Sequence, residues 1–157
     1  MRMHAPQARE VRDASNGEKG VMTMKKTILV VEDDKRIVMA LTVRLKEKGY
    51  DVVAAYDAAM AMSIAMHHRP DLALLDISLP GGNGFMVANS LRNEVSTSGV
   101  PFIFLTASKQ PGLRENAGDL GAVGFFEKPY EAEELLAAID GALGEPVGQG
   151  QRLWEVP

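Results

Sequence analysis

The chain has 157 residues, a formal net charge of −4 and no cysteine. That length accommodates one domain with a real core, plus tails. The absence of thiols excludes disulfides, thiolate metal sites and a cysteine nucleophile. The acidic balance, with a pI near 5.4, argues against a nucleic-acid-binding surface, although a local basic patch is compatible with it. No apolar stretch approaches the roughly 20 residues of a membrane span, and Met1-Arg2-Met3-His4-Ala5-Pro6 lacks the apolar segment of a secretory signal. The expectation is a soluble cytoplasmic protein without a membrane or nucleic-acid partner.

Residues 1–24 are polar, show little apolar periodicity and read as a disordered arm. Thr27-Ile28-Leu29-Val30-Val31 is a buried first strand by its continuous β-branched and apolar character. Ile37, Leu41 and Leu45 then recur at helical spacing until Gly49 stops the helix. Residues 51–55 predict the second strand, and Ala58 to His68 a second helix ended before Pro70. In that helix Met60, Met62 and Met66 are expected to pack on the sheet, with His67 and His68 on the surface. Leu72 to Leu75 is the third strand, Phe85 to about Glu94 the third helix, and Pro101 to Leu105 the fourth strand. The fourth helix, near Leu113 to Leu120, is weakened by Pro111, Gly112 and Gly118. Val123 to Phe126 is the fifth strand. Glu131 to Leu143 is the last helix, with Leu135, Leu136, Ile139 and Leu143 on one face. Residues 145–157, which include Trp154, read as a tail.

Five strands alternating with five helices imply right-handed βαβ units and a doubly wound parallel α/β sheet. In such a sheet the carboxyl ends of the strands lie along one edge, where open α/β folds bind ligands. Four signals sit at those ends: Glu32-Asp33-Asp34, Asp76, Thr106 and Lys128-Pro129. Crowded carboxylates at Glu32, Asp33 and Asp76 repel one another unless a cation joins them, and hard oxygen donors select Mg²⁺. Asp33 and Asp76 would be direct ligands, with Glu32 acting through water. Asp76 would be a nucleophile able to form an acyl phosphate. Thr106 would donate its hydroxyl to a phosphoryl oxygen and Lys128 would neutralise another. Each residue taken alone has a plainer explanation. Acidic residues favour helix N-termini, Thr is a common cap, and Lys-Pro is usually a loop. Their joint occurrence at four strand ends gives the pattern its weight.

With those residues in view, the sequence resembles the receiver domain of two-component response regulators over about residues 25–144. The likeness rests on Ile28-Leu29-Val30-Val31-Glu32-Asp33-Asp34, Leu74-Leu75-Asp76-Ile77-Ser78-Leu79-Pro80-Gly81, Leu105-Thr106-Ala107 and Phe125-Phe126-Glu127-Lys128-Pro129. The spacings, 30 positions from Asp76 to Thr106 (106 − 76) and 22 from Thr106 to Lys128 (128 − 106), are those of the family. The resemblance implies a flavodoxin-like (βα)5 fold with strand order 2-1-3-4-5. It implies that Asp76 takes phosphate from a phosphohistidine on a sensor histidine kinase or histidine phosphotransfer protein. The Mg²⁺ ligands would be Asp33, Asp76 and the backbone carbonyl of Ser78, supported by Glu32. Backbone N–H groups of Ser78 and Ala107 would meet the phosphoryl group, and Lys128-Pro129 would be a cis peptide. Thr106 and an inward-turning Phe125 would form the switch, read out by a downstream protein at the face of the fourth helix, fifth strand and fifth helix.

Gly82-Asn83-Gly84 departs from the family pattern, which implies a looser loop there. Pro111, Gly112 and Gly118 imply a short or mobile fourth helix. With only a tail after Leu143, the expectation is a stand-alone signalling module and no enzyme beyond its own phosphorylation and dephosphorylation. Two rivals stand beside it. One is an aspartate-nucleophile, Mg²⁺-dependent phosphohydrolase, which normally carries its nucleophile after the first strand. The other is a receiver-like adaptor that is never phosphorylated.

Overall fold

The computed structural model describes residues 25–144 with their side chains, and the backbone of Ala8–Arg12 and Lys19–Thr23. Those two segments are strands, β1 (Ala8–Arg12) and β2 (Lys19–Thr23), paired antiparallel with Ala8 opposite Thr23 and Arg12 opposite Lys19. They fall within the arm that the sequence reads as disordered. A hairpin needs only cross-strand pairs, so weak apolar periodicity does not exclude one. The remainder of the arm and the tail 145–157 lie outside the described residues.

Five further strands form one parallel sheet: β3 (Thr27–Val31), β4 (Asp51–Ala55), β5 (Leu72–Asp76), β8 (Phe102–Thr106) and β9 (Gly124–Glu127). Their order is β4-β3-β5-β8-β9, which is 2-1-3-4-5 when the sheet's strands are counted along the chain. The intervening helices are α1 (Lys35–Glu47), α2 (Ala58–His68), α3 (Gly84–Asn93), α4 (Leu113–Leu120) and α5 (Ala132–Leu143). Alternate strand residues face opposite sides. Leu29, Val31, Leu75 and Phe104 pack with Ala61, Ala65, Val87 and Leu91 of α2 and α3. Ile28, Val30, Leu74 and Ile103 pack with Leu41, Leu45, Leu135 and Ile139 of α1 and α5. Both faces are therefore covered, which is why β5 and β8 are buried at every position and read as unbroken apolar runs.

Two expectations need correction. On α2 the buried residues are Ala61 and Ala65, while Met60 and Met66 are exposed and only Met62 packs partly on the core. The small alanines let the helix approach the sheet closely, and this leaves longer side chains at its margins. The segment expected to be loose contains a two-residue ladder, β6 (Ser78–Leu79) with β7 (Gly82–Asn83). Asn83 then caps α3 by accepting from the Met86 N–H at 2.9 Å. Among the described residues no helix is long and apolar enough to cross a membrane.

Candidate phosphoryl-transfer site

The register of the sheet brings the four signals together. Pairing of β3, β5, β8 and β9 aligns Val31 with Leu75, Asp76 with Leu105, and Thr106 with Glu127. The residue ending each strand, or following it, thus stands at one edge. Glu32, Asp76 and Thr106 are buried there, at 2%, 5% and 0% exposure, and Asp33 is exposed. Lys128 follows β9, at a cis Lys128–Pro129 peptide.

Lys128 Nζ donates to Glu32 Oε1 at 2.6 Å and to Asp76 Oδ2 at 2.8 Å. Asp76 Oδ1 accepts the Ser78 N–H at 2.9 Å, so the N–H expected to meet a phosphoryl group here holds the carboxylate. Glu32 Oε2 accepts the Asp34 N–H at 3.1 Å. Thr106 Oγ1 accepts the Ser108 N–H at 3.0 Å. Asp34 takes the plainer role of an acid at a helix start. It is the N-cap of α1 and accepts the Arg36 N–H at 2.9 Å.

Oxygens of Glu32, Asp33 and Asp76 lie within 4.8 Å of one another. Glu32 and Asp76 thus share one ammonium, with the Asp33 carboxylate beside them. Burial, followed by competition with Asp76, pushes the Glu32 carboxyl up to about 7, against the opposing pull of Lys128 and the Asp34 N–H. Burial acts to lower Lys128, but its hydrogen bonds to Asp76 and Glu32 outweigh that and raise it. The ammonium therefore remains charged while the carboxylate set stays under-neutralised. An all-oxygen donor set with surplus negative charge fits a hard divalent cation.

Reasoning from the sequence missed the groups around Phe125. Phe125 is already buried, at 4% exposure, rather than waiting outside to turn in. The Arg114 guanidinium carbon lies 4.7 Å from its ring centroid, within cation–π range. Arg114 and Lys109 both pair with Glu127, at 3.8 and 3.0 Å. Arg114 lies in the helix read as weak, so nothing in the local pattern singled it out. Ser78 and Ala107 are exposed at the mouth of the site.

A parallel five-stranded sheet with this acidic edge defines a class, and comparison with known proteins supplies the family. The chain belongs to the response regulator receiver domain family, whose model matches residues 28–140. It is 38% identical over 122 residues to the DNA-binding response regulator MtrA of Mycolicibacterium smegmatis, covering 74% of this chain and 50% of that protein. Among solved structures it resembles a putative response regulator from Chloroflexus aurantiacus, with a TM-score of 0.72 and 27% identity over 78% of this chain and all of that one. It also resembles the receiver domain of a sensor histidine kinase from Pseudomonas aeruginosa, solved with magnesium in its active-site cleft. There the TM-score is 0.70 and the identity 30%, over 78% of this chain and 100% of the other. The chain spans about half the length of the curated relatives it matches, 46% and 50% for two of them.

Proposed function

We propose that the chain accepts a phosphoryl group on Asp76 from a phosphohistidine of a partner kinase or phosphotransfer protein, and so relays a two-component signal. The observation that carries this is Asp76 itself. It is a buried carboxylate at the end of the central strand, fixed by the Ser78 N–H and the Lys128 ammonium beside two further acids. An Asp76 oxygen attacks phosphorus, the P–N bond to the imidazole breaks, and the ring nitrogen leaves with the bonding pair and is then protonated. Lys128 balances charge on the phosphoryl oxygens, and the Ser78 and Ala107 N–H groups and the Thr106 hydroxyl donate to them.

Asp33, Asp76 and the Ser78 carbonyl would hold Mg²⁺, with Glu32 in support. When bound, the ion supplies charge neutralisation for the carboxylates and a contact for a phosphoryl oxygen. Once formed, the acyl phosphate adds negative charge at Asp76. It draws the Thr106 hydroxyl away from the Ser108 N–H, and the segment leading to α4 follows. Phe125 then repacks beneath Arg114, and the α4–β9–α5 face changes for a downstream protein.

Acetyl phosphate with Mg²⁺ tests the proposal. The expected result is an acid-stable, base-labile label that Asp76→Ala abolishes, with no turnover of an aryl phosphate. A label that survives Asp76→Ala removes Asp76 from its role. Catalytic hydrolysis of the aryl phosphate would support the phosphohydrolase, and absence of any label the unphosphorylated adaptor.

A further inference from the structure

Glu127 stands opposite Thr106 in the sheet, paired across β8 and β9. Its two carboxylate oxygens hold different cations. Lys109 Nζ meets Oε2 at 3.0 Å, and Arg114 Nη2 meets Oε1 at 3.8 Å. Lys109 lies three residues beyond Thr106 (109 − 106), and Arg114 is the second residue of α4. One side chain of β9 therefore ties the β8–α4 connection at both of its ends. Hydrogen bonding to Lys109 holds the Glu127 carboxyl below its ordinary value.

The bonds inside that connection are local. The Ser108 N–H donates to Thr106 Oγ1 at 3.0 Å, and the Gln110 N–H donates to Ser108 Oγ at 3.2 Å. The chain then turns at Gly112, with φ at +87°, and α4 starts without a side-chain cap. An exposed ion pair is individually weak. A carboxylate shared by two cations is a different case. Its removal leaves Lys109 and Arg114 near one another with like charge, so attraction gives way to repulsion. Whatever holds this connection also holds the Ser108 N–H against the Thr106 hydroxyl.

We propose that Glu127 is a positioning residue. By holding Lys109 and Arg114 it keeps the β8–α4 connection where Thr106 Oγ1 accepts the Ser108 N–H, and so acts as a brake on phosphorylation of Asp76. The inference rests on Asp76 as the phosphoacceptor and names a regulator of that same site. The Thr106 hydroxyl must leave the Ser108 N–H to follow a phosphoryl group, and this movement works against both ion pairs.

Two variants of opposite charge test the brake in the full chain. Glu127→Gln removes a negative charge, and Lys109→Gln removes a positive one. A long-range field acting on anionic acetyl phosphate would speed labelling in the first and slow it in the second. The brake speeds labelling in both, by about two- to five-fold, the size set by weak exposed pairs. The double variant should be no faster than Glu127→Gln alone. The gain should shrink at about 0.5 M salt, where surface charges are screened.

Hydrogen exchange at the Ser108 and Gln110 amides gives a second readout that needs no phosphate. Both variants should speed it while β5 exchanges as in the wild type, which shows the fold intact. Opposite effects on labelling, additive effects in the double variant, or unchanged exchange at both amides overturns the proposal. Faster exchange in a chain whose Asp76 takes no label overturns the phosphoacceptor reading instead, and the brake falls with it.

Discussion

The two flanks of the sheet are built differently. Strands β5 and β8 are buried at every position, and Asp76 and Thr106 extend directly from them. The partner α1 runs 13 residues with an Asp34 cap and buries Val38, Leu41 and Leu45. On the other flank α4 runs 8 residues, starts at Gly112 without a side-chain cap, and buries only Ala117. The edge strand β9 is half-exposed by its third residue. Rigid placement belongs to the flank that holds the acids. The flank that would report their state is held by fewer apolar contacts and by exposed ion pairs of Glu127, which are individually weak. Low local stability is what a segment that changes packing requires.

The largest expected effect lies at the centre. Phe104 is fully buried and stacks edge-on with Phe85 and Phe102 at 4.9 and 5.5 Å. Phe104→Ala should cost about 3–5 kcal/mol, measured by urea unfolding. A loss near 1 kcal/mol would mean that the centre is no better packed than the flank.

Next comes the charge imbalance of the metal-free site. Glu32 has its folded carboxyl pushed from 4.5 up to about 7. A raised acid binds more protons folded than unfolded, so stability is fullest below about pH 4.5 and falls as pH rises toward 7. The loss is on the order of 3 kcal/mol at most. Chelator-treated protein should therefore melt lower at pH 7.5 than at pH 5, Mg²⁺ should recover much of the difference, and Glu32→Gln should flatten the slope. A flat wild-type profile would show that Lys128 alone suffices to neutralise the acids.

Gly84 ties the loop after Asp76 to α3. A Cβ built there would sit 2.4 Å from the Asp76 carbonyl oxygen and 3.0 Å from Ile77 Cα. The neighbours are backbone, so they must move. Gly84→Ala is expected to cost about 1–3 kcal/mol and, by displacing Asp76, to slow labelling by acetyl phosphate several-fold. Unchanged labelling would show that the site tolerates movement of its own loop.

Most of the sheet was legible because β3, β5 and β8 are buried on both faces. Runs such as Ile28–Val31 and Leu72–Leu75 leave little room for another reading. Glu32, Asp33, Asp76, Thr106 and Lys128 were legible because a parallel sheet forces its strand ends together. What escaped was set by tertiary context. The burial of Phe125 under Arg114 depends on how α4 lies across β9, which no local period encodes. The choice of Ala61 and Ala65 over Met60 and Met66 as the face of α2 reflects how close the helix sits, a distance that apolarity alone does not specify. The β1–β2 pair escaped because its segments lack the apolar alternation that usually marks a strand.

The smallest effect bears most directly on the contrast between the flanks. Leu113 is only partly buried against the core, so Leu113→Ala should cost about 1 kcal/mol or less, well under the full truncation cost of a buried leucine. Amide exchange is the sharper measure, since it resolves local opening from global unfolding. The amides of α4 should exchange faster than those of α1, and Leu45→Ala, on the opposite face of the sheet from α4, should speed exchange in α1 and β5 while leaving α4 nearly unchanged. That pattern means that α4 opens on its own, without the sheet. Equal protection in α1 and α4, both falling together in Leu45→Ala, would mean one cooperative unit. A phosphoryl group on Asp76 would then have to shift the whole domain rather than a single loosely held flank.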